Sequence, residues 1–240
     1  MGNHKVLVVM PAKNEEASIG NVLEEIKREY SSVDILVVDD GSKDSTAAIA
    51  RGKGAQVVNH GKNLGITAAI QTGRIYALGH GYDFIIFCDA DGQHNPLDID
   101  KILSPLLSGE ADFVVGSRQL GTYAGRESLL LKSARHFCSA VISVLIRQRI
   151  TDPTSGFKGW DRKVIEHLKI VYETSDKLHL STTNDMEEIL LASKIGAKIS
   201  EVPARMLSRE GESEIYTTRN LFRFLTIYPW HLIRTVWRNL

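Results

Sequence analysis

Phe84-Ile85-Ile86-Phe87-Cys88-Asp89-Ala90-Asp91 is the stretch that decides the fold. Its apolar run is too short for a helix and reads as a strand buried on both faces, with two carboxylates immediately beyond it. The same pattern recurs outward in both directions. Lys5 to Pro11 is a valine-rich strand followed by Lys13-Asn14-Glu15-Glu16. Val33 to Val38 is a second, ended by Asp39-Asp40-Gly41-Ser42, and Ala55 to Val58 a third. Phe113 to Val115 runs into Gly116-Ser117-Arg118. Between strands, Ile19, Val22, Leu23, Ile26 and Tyr30 recur with helical period, Ser45 to Arg51 makes a short helix, and Gly65 to Leu78 a longer one. Strands alternating with helices predict an α/β, Rossmann-like sheet, mixed but mostly parallel, flanked by helices. Beyond Gly116 the alternation fades into a long amphipathic helix, Ser128 to Arg147, and shorter pieces. With no repeat or linker, residues 1–215 read as one domain and 216–240 as an amphipathic helical tail.

Composition narrows the class. The 240 residues carry 29 Lys plus Arg against 29 Asp plus Glu, so no global basic field points to nucleic acid. Cys88 and Cys138, far apart and in no metal-like spacing, read as reduced core residues of a cytosolic protein. Val6 to Pro11 is too short for a signal region, and no stretch reaches the ~18 apolar residues of a spanning helix.

In an open parallel sheet, ligands sit beyond the carboxyl ends of the strands. Four such ends here are polar. Asp89 and Asp91, at i and i+2 of an extended segment, point the same way and can face one ion. With diphosphate oxygens they suit a hard cation, Mg²⁺ or Mn²⁺, and Gln93 and His94 lie close enough to assist. A second Asp-x-Asp, Asp98-Ile99-Asp100, follows Pro96 and reads as acid complementing the start of a helix. Asp39-Asp40-Gly41-Ser42 is either an ordinary Asp-Gly turn or a carboxylate pair facing a base and ribose. Asn63-Leu64-Gly65 is either a helix cap or a close backbone approach to a ligand.

In their order, Pro11-Ala12-Lys13-Asn14-Glu15, Val37-Val38-Asp39-Asp40-Gly41-Ser42, Asn63-Leu64-Gly65, Asp89-Ala90-Asp91-Gly92-Gln93-His94, Val115-Gly116-Ser117-Arg118 and Asp152-Pro153-Thr154-Ser155-Gly156-Phe157 resemble the family-two nucleotide-sugar glycosyltransferases. Glu187, Glu201-Val202-Pro203 and Arg209-Glu210-Gly211-Glu212-Ser213 are similar to the dolichol-phosphate mannosyltransferase branch. The resemblance implies the glycosyltransferase A-type fold and a donor that is a nucleotide sugar. It implies that Pro11, Ala12, Glu15 and one of Asp39 or Asp40 hold base and ribose. Asn14, Asn63, Gly65, Asp89 and Ala90 complete the candidate nucleotide contacts. It implies that Asp89 and Asp91, with Gln93, hold the metal, and that the acceptor is a polyprenyl phosphate gripped by arginine. Arg118, Arg135 and Arg209, with Ser133, are the candidate acceptor-phosphate contacts. Three positions depart from the pattern: Lys13 where an aromatic residue is common, Lys158 where Arg is frequent, and Glu214 where Lys is usual.

The expected chemistry is a single, inverting transfer. Asp91, through its metal, together with Arg118 and Arg209, would meet charge building on the leaving diphosphate. An ionised phosphate needs no general base, whereas a lipid or glycan hydroxyl does, and Glu187 is the candidate for that role. A nucleotidyltransferase would offer a glycine-rich loop where Pro11-Ala12-Lys13-Asn14-Glu15 has none. A non-catalytic nucleotide-sugar-binding module would not need the Asp89 and Asp91 pair. From Arg219 to Arg238, Leu221, Phe224, Leu225, Tyr228, Leu232 and Val236 fall on one helical side and Arg219, Arg223, Arg234 and Arg238 on another, divided at Pro229. With Trp230 and Trp237 this suits the cytosolic face of a membrane, or packing on the domain or on a second subunit.

Overall fold

The computed structural model describes residues 4–124, 129–174 and 184–207. Its elements are β1 (Val6–Ala12), α1 (Ile19–Glu29), β2 (Asp34–Asp39), α2 (Thr46–Gly52), β3 (Gln56–Asn59), α3 (Ile66–Gly79), β4 (Phe84–Phe87), α4 (Ile99–Leu107), β5 (Phe113–Tyr123), α5 (Leu129–Ile146), β6 (Lys158–Asp161), α6 (Arg162–Thr174), α7 (Asn184–Lys194) and β7 (Ile199–Met206). Among the described residues the strands form one seven-stranded sheet in the order β3-β2-β1-β4-β6-β5-β7. β6 runs against β4 and β5, and the other pairings are parallel. The expected mixed, mostly parallel α/β sheet is the one observed.

Strand periodicity explains the layers. Leu7 and Val9 of β1 join a cluster with Ala69 and Ile70 of α3, Val164 and Leu168 of α6, and Ile189 of α7. Val6, Val8 and Met10 point the other way, onto Leu23 of α1 and Ile102 of α4. A strand buried on both faces needs an apolar residue at every position, and β1 supplies it. α3 lies so close to β1 that a Cβ on Gly73 would stand 2.5 Å from Val9 Cγ1.

β6 and β7 were not foreseen. β6 is only four residues long and begins with a lysine, and β7 contains Glu201 and Pro203. Proline is tolerable because β7 is an edge strand. Opposite it β5 bulges: Ser117 pairs with Pro203 and Thr122 with Arg205, leaving four β5 residues against Ala204. α5 also corrects an expectation. Among the described residues it is the one helix long and apolar enough to cross a membrane by length and composition. Lys132, Arg135 and His136 break its apolar run and conceal this from a search for uninterrupted stretches. Both cysteines are buried free thiols, as expected of core residues.

Candidate active site at the carboxyl edge of the sheet

The ends of β1, β2 and β3 lie side by side, because Ala12 pairs with Asp39 and Asp39 with Asn59. Asp39 is buried, accepting from Ser42 N at 2.9 Å and Asn59 Nδ2 at 2.5 Å. Asp40 beside it is engaged internally. Its carboxylate meets His60 Nδ1 at 2.8 Å and accepts from Leu64 N and Gly65 N, both at 2.8 Å. It thereby fixes the start of α3, and Asn63 Oδ1 adds a bond from Gly65 N at 3.0 Å. Gly41, at φ 74°, lets this turn approach the chain: a Cβ there would lie 2.5 Å from the Lys62 carbonyl carbon.

The loop after β1 is stitched to the loop after β2. Asn14, in the left-handed region at φ 55°, donates its N–H to Ser42 Oγ at 3.0 Å and accepts from Lys43 N at 2.9 Å. Glu15 N donates to Thr46 Oγ1 at 2.8 Å, and Glu16 accepts from Ser45 N at 3.0 Å. Glu15 also accepts from Ser18 Oγ at 3.2 Å, while Ser18 Oγ lies 2.9 Å from the Ala90 carbonyl. Pro11, Ala12, Asn14, Glu15, Asp39 and Ala90 are thus brought to one end of the sheet, with Asn63 and Gly65 reached through Asp40.

Asp89 and Asp91 continue from β4 into this edge. Asp91 is buried and closes a turn by accepting from Gln93 N at 2.9 Å. Asp89 is open to solvent, its side chain 39% exposed. Its backbone N–H donates to His94 Nδ1 at 3.0 Å, so the neutral ring carries its proton on Nε2, 3.4 Å from Asp89 Oδ2. Burial pushes His94 down to about 4, which keeps that ring neutral. Gly156 faces the pair without a side chain, its would-be Cβ 3.9 Å from Asp89 Oδ2. Among the described residues no group of three His, Cys, Asp or Glu side chains could by itself hold a metal ion. Two hard carboxylates on an open edge fit Mg²⁺ or Mn²⁺ if ligand oxygens complete the shell. Cys88 is unsuited to join them, since burial pushes its thiol well up.

Of the acceptor-phosphate candidates, Arg118 and Arg135 both act on Asp152. Arg118 is held in an ion pair. Its Nε and Nη2 donate to the two oxygens of Asp152 at 2.6 and 2.7 Å, and Nη2 also reaches Thr154 Oγ1 at 2.9 Å. A buried carboxylate needs a cation, and Arg118 supplies one to Asp152. Asp152 and Thr151 are in turn held by Glu201, which accepts from their backbone N–H groups at 2.8 and 2.7 Å. Ser133 is exposed and donates to the Leu129 carbonyl one turn back, at 2.9 Å. Arg135 is buried, 5.7 Å from the Tyr123 ring centroid, and its charge acts on Asp152. Arg209, Glu214 and residues 219–238 lie outside the described residues.

Sequence reading missed the charges behind the site. Lys158 Nζ pairs with Asp185 and, at 2.6 Å, with Glu188, which also binds Arg74. Arg74, Lys158 and Glu188 are fully buried, whereas the Asp185 side chain keeps 25% of its surface. The cluster therefore reads, from core to surface, plus, minus, plus, minus. Burial raises Asp185's carboxyl, and Lys158 only partly offsets this. Asp185 also acts on His94 and feels Arg118, which places it at the same edge. Glu187, the expected base, stands two residues on and so about 200° around α7 from Asp185. The spacing Asp185-x-x-Glu188 opposite a buried lysine was the available signal, but Lys158 gave no hint of burial in the sequence.

This sheet, with its antiparallel β6 and its carboxylates beyond β4, is the glycosyltransferase A-type fold. The crystal structure of glucosyl-3-phosphoglycerate synthase from Mycobacterium tuberculosis, in complex with Mn²⁺, UDP and phosphoglyceric acid, superposes with a TM-score of 0.72 at 20% identity, covering 98% of this chain and 78% of that one. Residues 7–169 match glycosyl transferase family 2, and the chain belongs to that family. The UDP-N-acetylglucosamine–dolichyl-phosphate N-acetylglucosaminyltransferase of Methanococcus voltae is 28% identical over 228 residues, 88% of each chain. The undecaprenyl-phosphate mannosyltransferase of Micrococcus luteus is 27% identical over 221 residues, 88% of this chain and 87% of that one.

Proposed function

We propose that this glycosyltransferase moves a sugar, with inversion, from a nucleoside diphosphate sugar to a polyprenyl phosphate. The observation that carries the donor half is the Asp89 and Asp91 pair at the end of β4, one carboxylate open and one buried, beside the edge that holds Asp39. Asp39 and Glu15 would meet ribose and base, with Pro11 and Ala12 as floor. Asp89 and Asp91, with Gln93, would hold Mg²⁺ or Mn²⁺ on the donor diphosphate. When bound, that ion supplies Lewis acidity to the leaving group. The acceptor half is supported by two relatives whose names share a polyprenyl phosphate acceptor but differ in the sugar. An acceptor already ionised brings its own nucleophilic oxygen, so Asp185 need not remove a proton. The reading places the enzyme at the cytosolic membrane face, with 216–240 as a tail.

A second reading has one observation in its favour. Asp185 is a part-exposed carboxyl with raised proton affinity, which suits a general base for a hydroxyl acceptor. The deciding experiment offers purified protein, Mn²⁺ and labelled UDP- and GDP-sugars with either a polyprenyl phosphate or the matching free polyprenol. Label in the lipid phosphate alone is the expected result. Label in the polyprenol alone would transfer the role of the site to hydroxyl chemistry.

A further inference from the structure

α5 presents an apolar face that no described element covers. Leu129, Leu130, Phe137 and Val144 are 84, 50, 58 and 76% exposed. Leu130, Phe137 and Val144 recur every seventh residue, so they form one row along the helix. The opposite face, Arg135, Cys138 and Ile142, is buried, and Cys138 and Ile142 belong to the core. A helix seated on its own domain along one side cannot thread a bilayer, but it can lie in the surface of one.

The charges around this row say what covers it. From Ser128 to Thr151 there is no Asp or Glu, while Lys132, Arg135, Arg147 and Arg149 are all basic. Arg147 and Arg149 are exposed and follow the C-terminal end of the row, while Lys132 lies on another side of the helix. A second copy of α5 would oppose basic with basic. The segment from Arg219 to Arg238 also carries Arg219, Arg223, Arg234 and Arg238, so it lacks the complementary sign as well. An apolar stripe with exposed cations at its end and no acid near it matches an anionic bilayer interface. We propose that the outward face of α5 docks on such a surface, with Leu130, Phe137 and Val144 in the acyl boundary and Arg147 and Arg149 at the headgroups. The buried face of the same helix carries Arg135 toward Asp152. Docking would therefore bring the catalytic edge to the level at which a lipid phosphate lies. That purpose rests on the polyprenyl-phosphate reading, whereas the binding itself does not.

The test is flotation of the full-length protein with phosphatidylcholine vesicles, with and without phosphatidylglycerol. The parent is expected to float with anionic vesicles and far less with neutral ones. Leu130→Ser/Phe137→Ser/Val144→Ser should lower the partition coefficient by on the order of tenfold per side chain. Arg147→Glu/Arg149→Glu should remove the preference for anionic lipid. In Phe137→Trp, which does not depend on the triple variant folding, indole emission should move to the blue on adding anionic vesicles. A parent that stays unbound, a triple variant that floats like the parent, or an indole that does not respond would each overturn the proposal. So would a triple variant that dissociates from dimer to monomer with flotation unchanged, which would make a second copy the occupant. Transfer to a water-soluble, short-chain polyprenyl phosphate should be the same in parent and triple variant. Its absence in both would sink the acceptor reading while leaving the vesicle result standing.

Discussion

Asp98 and Arg205, 107 positions apart, close on each other: Arg205 Nε and Nη2 donate to Asp98 Oδ1 at 3.0 and 2.8 Å, and Arg205 N donates to Asp98 Oδ2 at 2.6 Å. The Asp98 side chain is fully buried, and Lys101 adds a contact at 2.8 Å. The second Asp-x-Asp is therefore more than an acid at a helix start. It joins the turn before α4 to edge strand β7. Next to this joint, Gln93 O accepts from Leu207 N at 2.8 Å, which steadies the segment that follows Asp91.

Asp98→Ala should therefore destabilise the protein by about 1–3 kcal/mol, since it leaves the Arg205 backbone N–H without its acceptor and releases the joint. Burial alone would raise the Asp98 carboxyl, but bonds from Arg205 and Lys101 outweigh it and hold the group below the usual carboxylate range. A depressed carboxyl contributes stability that is complete above the unfolded value and lost as pH falls through the folded one. The gap between parent and Asp98→Asn in urea unfolding should be widest at neutral pH and narrow below about pH 4. A gap that does not change with pH would show that charge plays no part in the joint.

The contrast between the two acidic motifs shows where the sequence was legible. Residues 6–9 of β1, 35–38 of β2 and 84–87 of β4 are uninterrupted Val, Ile, Leu and Phe, a pattern that only a doubly covered sheet requires, so the strand ends and the carboxylates beyond them could be placed. β6 and β7 could not. Lys158 enters the core only because Asp185 and Glu188, far along the chain, neutralise it, and Glu201 sits in β7 because the 151–152 backbone N–H groups need an acceptor. The adjacent acids Asp39 and Asp40 were recognised as a pair, but their division of labour depends on His60 and the start of α3. Local pattern carries no record of such distant partners.

At the metal position, Asp91→Asn can keep the turn to Gln93 N while losing the charge. Transfer should fall by roughly a hundredfold or more, with the thermal transition little changed. EDTA should abolish activity, and Mn²⁺ or Mg²⁺ restore it. Full activity in EDTA, or an Asp91→Asn protein that turns over normally, would remove the ion from the proposed chemistry.

Asp185 separates the two acceptor chemistries. If the acceptor is an ionised phosphate, Asp185→Asn should cost less than about tenfold in kcat, since no proton must be taken. If it is a hydroxyl, the loss should be on the order of 10²–10⁴-fold, and the rate of the parent should rise with pH through one ionisation. Glu187→Gln should leave either profile in place, because that residue lies on another side of α7. Collapse of Glu187→Gln with survival of Asp185→Asn would restore the base role to Glu187.

Arg118 and Asp152 offer the sharpest distinction between holding the site and touching the substrate. Burial would raise the Asp152 carboxyl, but the hydrogen bonds and charge of Arg118 outweigh it and lower it. The pair fastens the bulge of β5 to the loop that leads through Gly156 to β6, so each residue acts through the other. Arg118→Ala and Asp152→Ala should each destabilise by about 3 kcal/mol, and the double variant should fall short of their sum by about 1–3 kcal/mol. Both single variants should also weaken transfer together, with matching changes in acceptor KM, because both release the same loop. A phosphate-binding arginine predicts something else: acceptor KM would rise steeply in Arg118→Ala and hardly at all in Asp152→Ala, where the guanidinium is still present. Measuring both KM values beside the unfolding cycle discriminates the two, and an effect confined to Arg118→Ala would assign that residue to the acceptor.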